Sequence, residues 1–337
     1  MRMEERGLFR MAAMVLLALI AVSALAWAVG RGPGGGDGKK GDGKKKGGDA
    51  DRGAVPEAVA QAPAAPAAPA PADAACAPDG GPRPLDAEIR ESSGVAPSRA
   101  HAGIFWTHND SGEPLLYAVD SAGRTVGRVR VAGAAVEDWE DVAAAPCPGG
   151  GDCLYVADIG DNEAERPSVT VYRVPEPAPG AARSAPAAAL RLRYPDGPQD
   201  AEALFVLDGA VHVVTKGESG PIVLYRAPAG AGAEATLERV RVLTQGKVDR
   251  PERITGAAAS PDGRWIALRT VRHASLYRAA ELAGGGALTP VRVDLQPLGE
   301  EQGEGIGFAP GGSIVLTSEG GGRSKPATFA RLRCTLP

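Results

Sequence analysis

An aromatic residue recurs inside a short apolar run at Tyr117 (LLYAVD), Tyr172 (VTVYRV), Tyr225 (IVLYRA), Tyr277 (SLYRAA) and Phe329 (ATFARL), at spacings of 55, 53, 52 and 52 residues. The chain therefore reads as five copies of one unit. Each copy holds only short β-type runs, and a single small sheet leaves both its faces uncovered until another sheet packs against it. A period of this length built from such runs predicts an all-β ring of sheets, a β-propeller with five blades. A six-bladed ring with one irregular blade is the alternative.

The units begin near Leu85. The first reads SSGVAPS, GIFWTH, LLYAVD and TVGRVRV; the second EDVAAA, CLYVAD, VTVYRV and ALRLRYP; the third EALFVL, AVHVVT, IVLYRA and ERVRVLT; the fourth TGAAAS, WIALRT, SLYRAA and PVRVDLQ. The fifth has EGIGFA, SIVLTS and ATFARLRC and then lacks a fourth run, which leaves residues 82–89 free to supply it and so close the ring's exposed edge. Turn chemistry repeats as well. Asp208-Gly209, Pro261-Asp262-Gly263 and Pro310-Gly311-Gly312 separate the first two runs of three units, where tight hairpins need positive φ.

The segment before the repeats cannot make a packed core. Residues 1–10 carry Arg2, Arg6 and Arg10, and residues 11–29 are uncharged and mostly apolar, long enough to span a bilayer as a helix. Ala24-Leu25-Ala26 also offers a signal-peptide cleavage site, so the segment reads either as an anchor in the cytoplasmic membrane or as a cleaved export signal that leaves a secreted protein. Residues 30–75 are low-complexity, first Gly/Lys/Asp and then Ala/Pro, and read as a disordered tether ahead of a folded domain at 76–337.

Four cysteines fall into two suggestive pairs. Cys147 and Cys153 bracket PGGGD, and Cys76 and Cys334 lie at the two ends of the domain, where a bond would lock a closed ring. With an export segment present, disulfides are the expected state, and they place the domain outside the cytoplasm. The net charge of −4 divides into about +2 on the first 84 residues and about −6 on the repeats, which disfavours a nucleic-acid partner. The domain is read as a monomer.

Aligning the first runs gives one equivalent position per unit: Ser93, Glu140, Glu202, Thr255 and Glu304. The innermost strand of every blade lines a propeller's channel, so these side chains should face one another around the axis. Three carboxylates in a narrow tunnel repel unless a cation, a proton or a basic group compensates them. The second runs end in further polar groups, His108 with Asp110, Asp158 with Asp161 and Asn162, Lys216, Arg269, and Ser318 with Glu319, all expected at the same mouth of the ring. Polar loops clustered on a rigid frame are a default binding site. The alternative is structural: the glutamates accept hydrogen bonds from neighbouring blades, and Lys216 and Arg269 serve as their counter-ions. A metal held by oxygen ligands alone would be Ca²⁺ before Zn²⁺.

The motifs WTHNDSG (106–112), DWEDVA (138–143), YVADIGDN (155–162), VYRVPEP (171–177), YPDGPQDAEAL (194–204) and VVTKG (213–217) resemble a group of secreted bacterial β-propeller proteins, distantly similar to the esterase-like phytase domain and to calcium-dependent phytase propellers. The resemblance implies acidic, calcium-binding motifs at the channel mouth, onto which Asp138, Glu140, Asp158, Asp161, Asn162, Asp200, Glu202 and Glu304 map. The dense basic set with which a phytase grips several phosphates is missing, apart from Lys216, Arg269, Arg323 and Lys325, so phytase activity is not carried over.

Three functions follow as expectations. The first is a membrane-tethered recognition module whose mouth, ordered by Ca²⁺ held among Glu140, Glu202, Glu304, Asp138 and Asp200, binds a small molecule, glycan or envelope protein through Asp110, Asp161, Asn162 and Glu319. The second is a metal-dependent hydrolase of phosphate esters, carboxylic esters or lactones, with His108 or Asp158 as base and Lys216 or Arg269 stabilising developing charge. The third is a structural envelope protein.

Overall fold

A computed structural model describes residues 75–322 and 325–336. The expected basic segment 1–10, span 11–29 and most of the tether lie outside the described residues.

Five antiparallel sheets follow one another along the chain. Their innermost strands are Ser92–Pro97, Trp139–Pro146, Ala201–Leu207, Ile254–Ala259 and Gln302–Ala309. Each touches the next, and the last touches the first, so the ring is closed with five blades, as the spacing of the aromatics predicts. Five hydrophobic cores lie between the blades, one per interface. Strand alternation explains the division: Ala96, Trp106 and Leu116 of the first blade face the second, whereas Val95, Phe105 and Tyr117 face the fifth.

The recurrent aromatics all sit on the third strands. Tyr117, Tyr172, Tyr225 and Tyr277 pack against the preceding blade. Phe329 instead faces forward to the first blade, its ring 5.0 Å from that of Phe105. The fifth repeat is thus offset by one residue, which in a strand transfers a side chain to the opposite face.

The N-terminal part of the domain does close the fifth blade, but of residues 82–89 only Arg83–Pro84 takes part. Ala75–Pro78 pairs with the end of Thr328–Thr335 in a register that sets Cys76 opposite Cys334, and the short Arg83–Pro84 pairs further along the same strand. Leu85 and Ile89 are buried in the core between the fifth and first blades instead. Apolar side chains here do more as a plug between sheets than as an edge. Both expected disulfides are formed, Cys76–Cys334 and Cys147–Cys153.

Two further elements escape the repeat pattern. Arg183–Pro186 adds to the first blade and Glu234–Thr236 to the second, each in parallel on the outer edge. SLYRAA is strand only to Arg278, after which Ala279–Ala283 forms a short helix. The hairpin turns behave as their residues require: Asp208 and Gly209 have φ of 50° and 74°, and Gly311 and Gly312 have 76° and 77°.

Candidate functional site

Every innermost strand carries a β-bulge, and in every blade it falls on the aligned axial residue. The register against the second strand shifts across Ser93, Glu140, Glu202, Thr255 and Glu304. A bulge locally bends the strand and re-aims the extra side chain, and here the device is used five times to turn one residue per blade toward the axis. Glu140, Glu202, Thr255 and Glu304 all line a single cavity of about 430 Å³. Asp110, Asp138, Asn162, Lys216 and Glu319 line it too, so the strand ends and loops do open onto the mouth where the acids converge.

The carboxylates are compensated unevenly. The Lys216 ammonium enters between the second and third blades, where it pairs with Glu202, lies 3.5 Å from Asp200 Oδ2 and donates to Asn162 Oδ1 at 3.1 Å. Burial alone would lower its pKa, but the surrounding carboxylates outweigh burial and raise it. Glu140 accepts a hydrogen bond from Ser93 Oγ at 3.1 Å, and its pKa stands well above the usual carboxylate range because it is buried and close to Glu202 and Asp138. Glu304 is raised in the same way, by burial and then by Glu202 and Glu319. Burial takes Glu202 up to about 7 despite Lys216. Two of the three axial acids are therefore biased toward protonation, and the third is paired with a lysine.

Five of the predicted site residues do not reach the cavity. His108 is fully buried, edge-on to Trp139 at 5.6 Å between ring centroids, with Nδ1 against the Asn109 carbonyl; burial lowers its pKa to about 4. It is part of the core rather than a base at the mouth. Asp158 accepts from the backbone N–H groups of Glu137 and Asp138 and pairs with Arg166 at 2.9 Å, so it fixes the turn that presents Asp138. Asp161 accepts from the N–H groups of Glu165 and Arg166 and ties down its own loop. Asp200 supports the Asp161 N–H from behind. Arg269 is fully buried, donates to the carbonyls of Gly305 and Thr317, and pairs with Glu300 at 2.5 Å. Its guanidinium is consumed in joining the fourth blade to the fifth and cannot stabilise charge at the mouth.

Calcium suits these donors by type, since they are all oxygens, but not by arrangement. Among the described residues no three His, Cys, Asp or Glu side chains are placed to share a metal ion. Among Glu202, Asp200 and Asn162, three of the eight residues onto which the resemblance maps calcium-binding motifs, sits the Lys216 ammonium.

Sequence reading missed Asp141. Its carboxylate is wholly buried and accepts from the N–H groups of Val142 (2.8 Å), Leu204 (2.9 Å) and Ala257 (3.2 Å), so one side chain joins the innermost strands of three blades. The signal was present. The residue after each axial position is Gly94, Asp141, Ala203, Gly256 and Gly305, so four small residues surround one acid. A Cβ on Gly94 would lie 2.8 Å from Asp141 Oδ1, so the neighbouring strand can approach only as glycine. Arg250 and Arg253, which also line the cavity, were missed for a plainer reason, since they sit in a connection outside the repeated strands, and Gln302 was missed because it only begins the fifth innermost strand.

The raised acids make stability depend on pH. Glu202 and Glu319 lie at about 7 and Asp110 at about 6, all above their ordinary values, so the folded ring binds protons more tightly than the unfolded chain between about pH 4 and 7. A carboxylate with a raised folded pKa favours folding below its unfolded pKa, and that advantage is lost as pH rises through the folded value. The unfolding free energy is expected to be larger at pH 5 than at pH 8 by about 2–3 kcal/mol. Chemical denaturation at the two pH values checks this, and equal or reversed midpoints would contradict it.

No protein-family model matches the chain, and no curated protein does. Among solved structures it is similar to the PQQ-bound aldose sugar dehydrogenase of Streptomyces coelicolor, at 11% identity and a TM-score of 0.49 over 79% of this chain and 99% of that one. It is also similar to a gluconolactonase from Xanthomonas campestris, at 14% identity and a TM-score of 0.42 over 77% and 98% of the two chains. The soluble aldose sugar dehydrogenase of Escherichia coli gives 10% identity and 0.40 over 78% and 99%. At such identities the likeness concerns the fold alone, and it carries no argument about the site.

Proposed function

We propose that the chain is a membrane-tethered, extracytoplasmic recognition module whose acidic mouth binds a small polar molecule or a glycan without turning it over. The observation that carries the reading is the fivefold bulge, which brings Glu140, Glu202 and Glu304 to one cavity beside Lys216, Asn162 and Asp138. A cavity of about 430 Å³ is of ligand size, and its lining mixes carboxyl groups, amides, a lysine and two arginines, groups that hydrogen-bond a polar solute from several sides. Paired cysteines support an oxidising compartment. Residues 11–29 supply the tether in this reading.

The competing hydrolase needs a base and a stabiliser of negative charge at the mouth. His108, Asp158 and Arg269 are committed to the scaffold, which leaves Lys216 alone of the four residues assigned to that chemistry. Calcium forms no part of the proposal, for the reasons of arrangement given above.

A thermal-shift panel of sugars, polyols, amines and organic acids tests the reading, run on the full chain and on a Glu140→Gln/Glu202→Gln variant. A compound that binds the mouth stabilises the folded state by mass action, so at least one compound should raise the melting temperature of the wild type and not of the variant. A panel with no such compound, or chelator-sensitive turnover of chromogenic esters, would overturn it.

A further inference from the structure

The mouth has two unlike halves. Toward the second and third blades, Glu202 and Asp200 surround the Lys216 ammonium. Toward the fifth and first blades, Asp110, Glu304 and Glu319 line the same cavity, and among the described residues none of the three is in an ion pair. Glu304 is only 3% exposed, yet its Oε2 has no hydrogen-bond partner, and neither has the buried Oδ1 of Asp110. Buried acceptors are nearly always satisfied in folded proteins, so two orphans on residues that line one cavity mark the side of it to which a donor is drawn from outside. The electrostatics agree. Burial and the neighbouring Glu91 push Asp110 up to about 6, and burial and Asp110 push Glu319 up to about 7, crowding and burial outweighing the attraction of Lys216 and Arg250 for Glu319.

We propose that this half of the mouth receives the cationic end of the ligand, a primary ammonium or guanidinium group carried on a small organic molecule. The inference rests on the reading of the mouth as a ligand-binding site. A metal ion is the poorer occupant, because no three carboxylates among the described residues are placed to share one, whereas an alkylammonium is already accommodated in the same cavity in the form of Lys216. The several donors of an ammonium or guanidinium can serve separate carboxyl groups, those of Asp110, Glu304 and Glu319, without the tight convergence a metal demands. Asn162 and the Gln302 amide remain for the uncharged part of the molecule.

Titration calorimetry on the full chain in neutral detergent at pH 8 tests this with three probes: agmatine, which carries both cationic groups, sorbitol as a neutral polyol, and Ca²⁺. Agmatine is expected to bind, and Glu319→Gln and Asp110→Asn to weaken it at least tenfold each. Both residues are only partly buried and have raised carboxyl pKa values, so at pH 8 the variants should be at least as stable as the wild type and provide a test even where Glu304→Gln fails to fold. Sorbitol or Ca²⁺ binding while agmatine does not would overturn the cationic ligand and leave the mouth as a binding site. Agmatine binding that is indifferent to both variants would also overturn the assignment. Silence from all three probes would overturn it too, and the broader thermal-shift panel would then judge the mouth separately.

Discussion

Replacing Asp141 with alanine is expected to lower the unfolding free energy by roughly 3–6 kcal/mol, because each buried N–H left without a partner costs about 1–3 kcal/mol. Three such groups depend on this carboxylate, those of Val142, Leu204 and Ala257, on the innermost strands of the second, third and fourth blades. No water reaches the position to substitute, since Asp141 is fully buried and Gly94 closes over it. Asp141→Asn should be intermediate: its carbonyl oxygen can serve Leu204 and Ala257, which share Oδ2, but its amide N–H₂ then faces the Val142 N–H. Urea denaturation of the three proteins gives the ranking. An alanine variant as stable as the wild type would show that the ring is held by its inter-blade cores alone.

Removing the Cys76–Cys334 bond by serine at both positions is expected to cost about 4 kcal/mol, since it closes a very long loop and constrains the unfolded chain accordingly. The separation is 258 residues, against 6 for Cys147–Cys153, so the corresponding double serine variant of the short loop should lose far less. The longer bond also fastens Ala75–Pro78 to the last strand, and without it the outer edge of the fifth blade rests on that short pairing and the two residues Arg83–Pro84. At roughly 2–4 °C per kcal/mol for a domain of this size, the melting temperature should fall by about 8–16 °C. A fall no larger than that of the Cys147–Cys153 variant would refute the closure argument.

Much of the fold was legible because its cause is local and repeated. The positions of Tyr117, Tyr172, Tyr225 and Tyr277 fix the phase of four blades, since side-chain alternation in strands leaves only one face per residue. Asp208-Gly209 and Gly311-Gly312 mark turns whose backbone few other residues adopt. Phe329 misled by one residue because apolar pattern alone cannot tell which neighbour a fully buried strand faces. The closing strand was placed only in part, at Arg83–Pro84, because Leu85 and Ile89 have strand-like character but gain more by filling the gap between two sheets.

The site was legible only in part. The alignment of first strands found Glu140, Glu202 and Glu304, because the repeat carries each to the same depth on the axis. It could not tell Asp110 and Glu319, which line the cavity, from His108, Asp158 and Arg269, which turn inward to satisfy backbone groups and neighbouring blades. All five lie at strand ends of similar composition, and the direction of each side chain depends on partners far away in sequence.

By itself, then, the order of residues determined the number of blades, the disulfide partners and the ring of axial positions, all consequences of period, turn chemistry and end-to-end closure. The tertiary structure decided which charges meet. It seated Lys216 among Glu202, Asp200 and Asn162, left Asp110, Glu304 and Glu319 without a counter-ion among the described residues, and made Asp141 the link between three blades. The physical reason is that electrostatic and hydrogen-bond partners are chosen by distance and burial, and in a closed ring residues more than fifty positions apart are nearest neighbours.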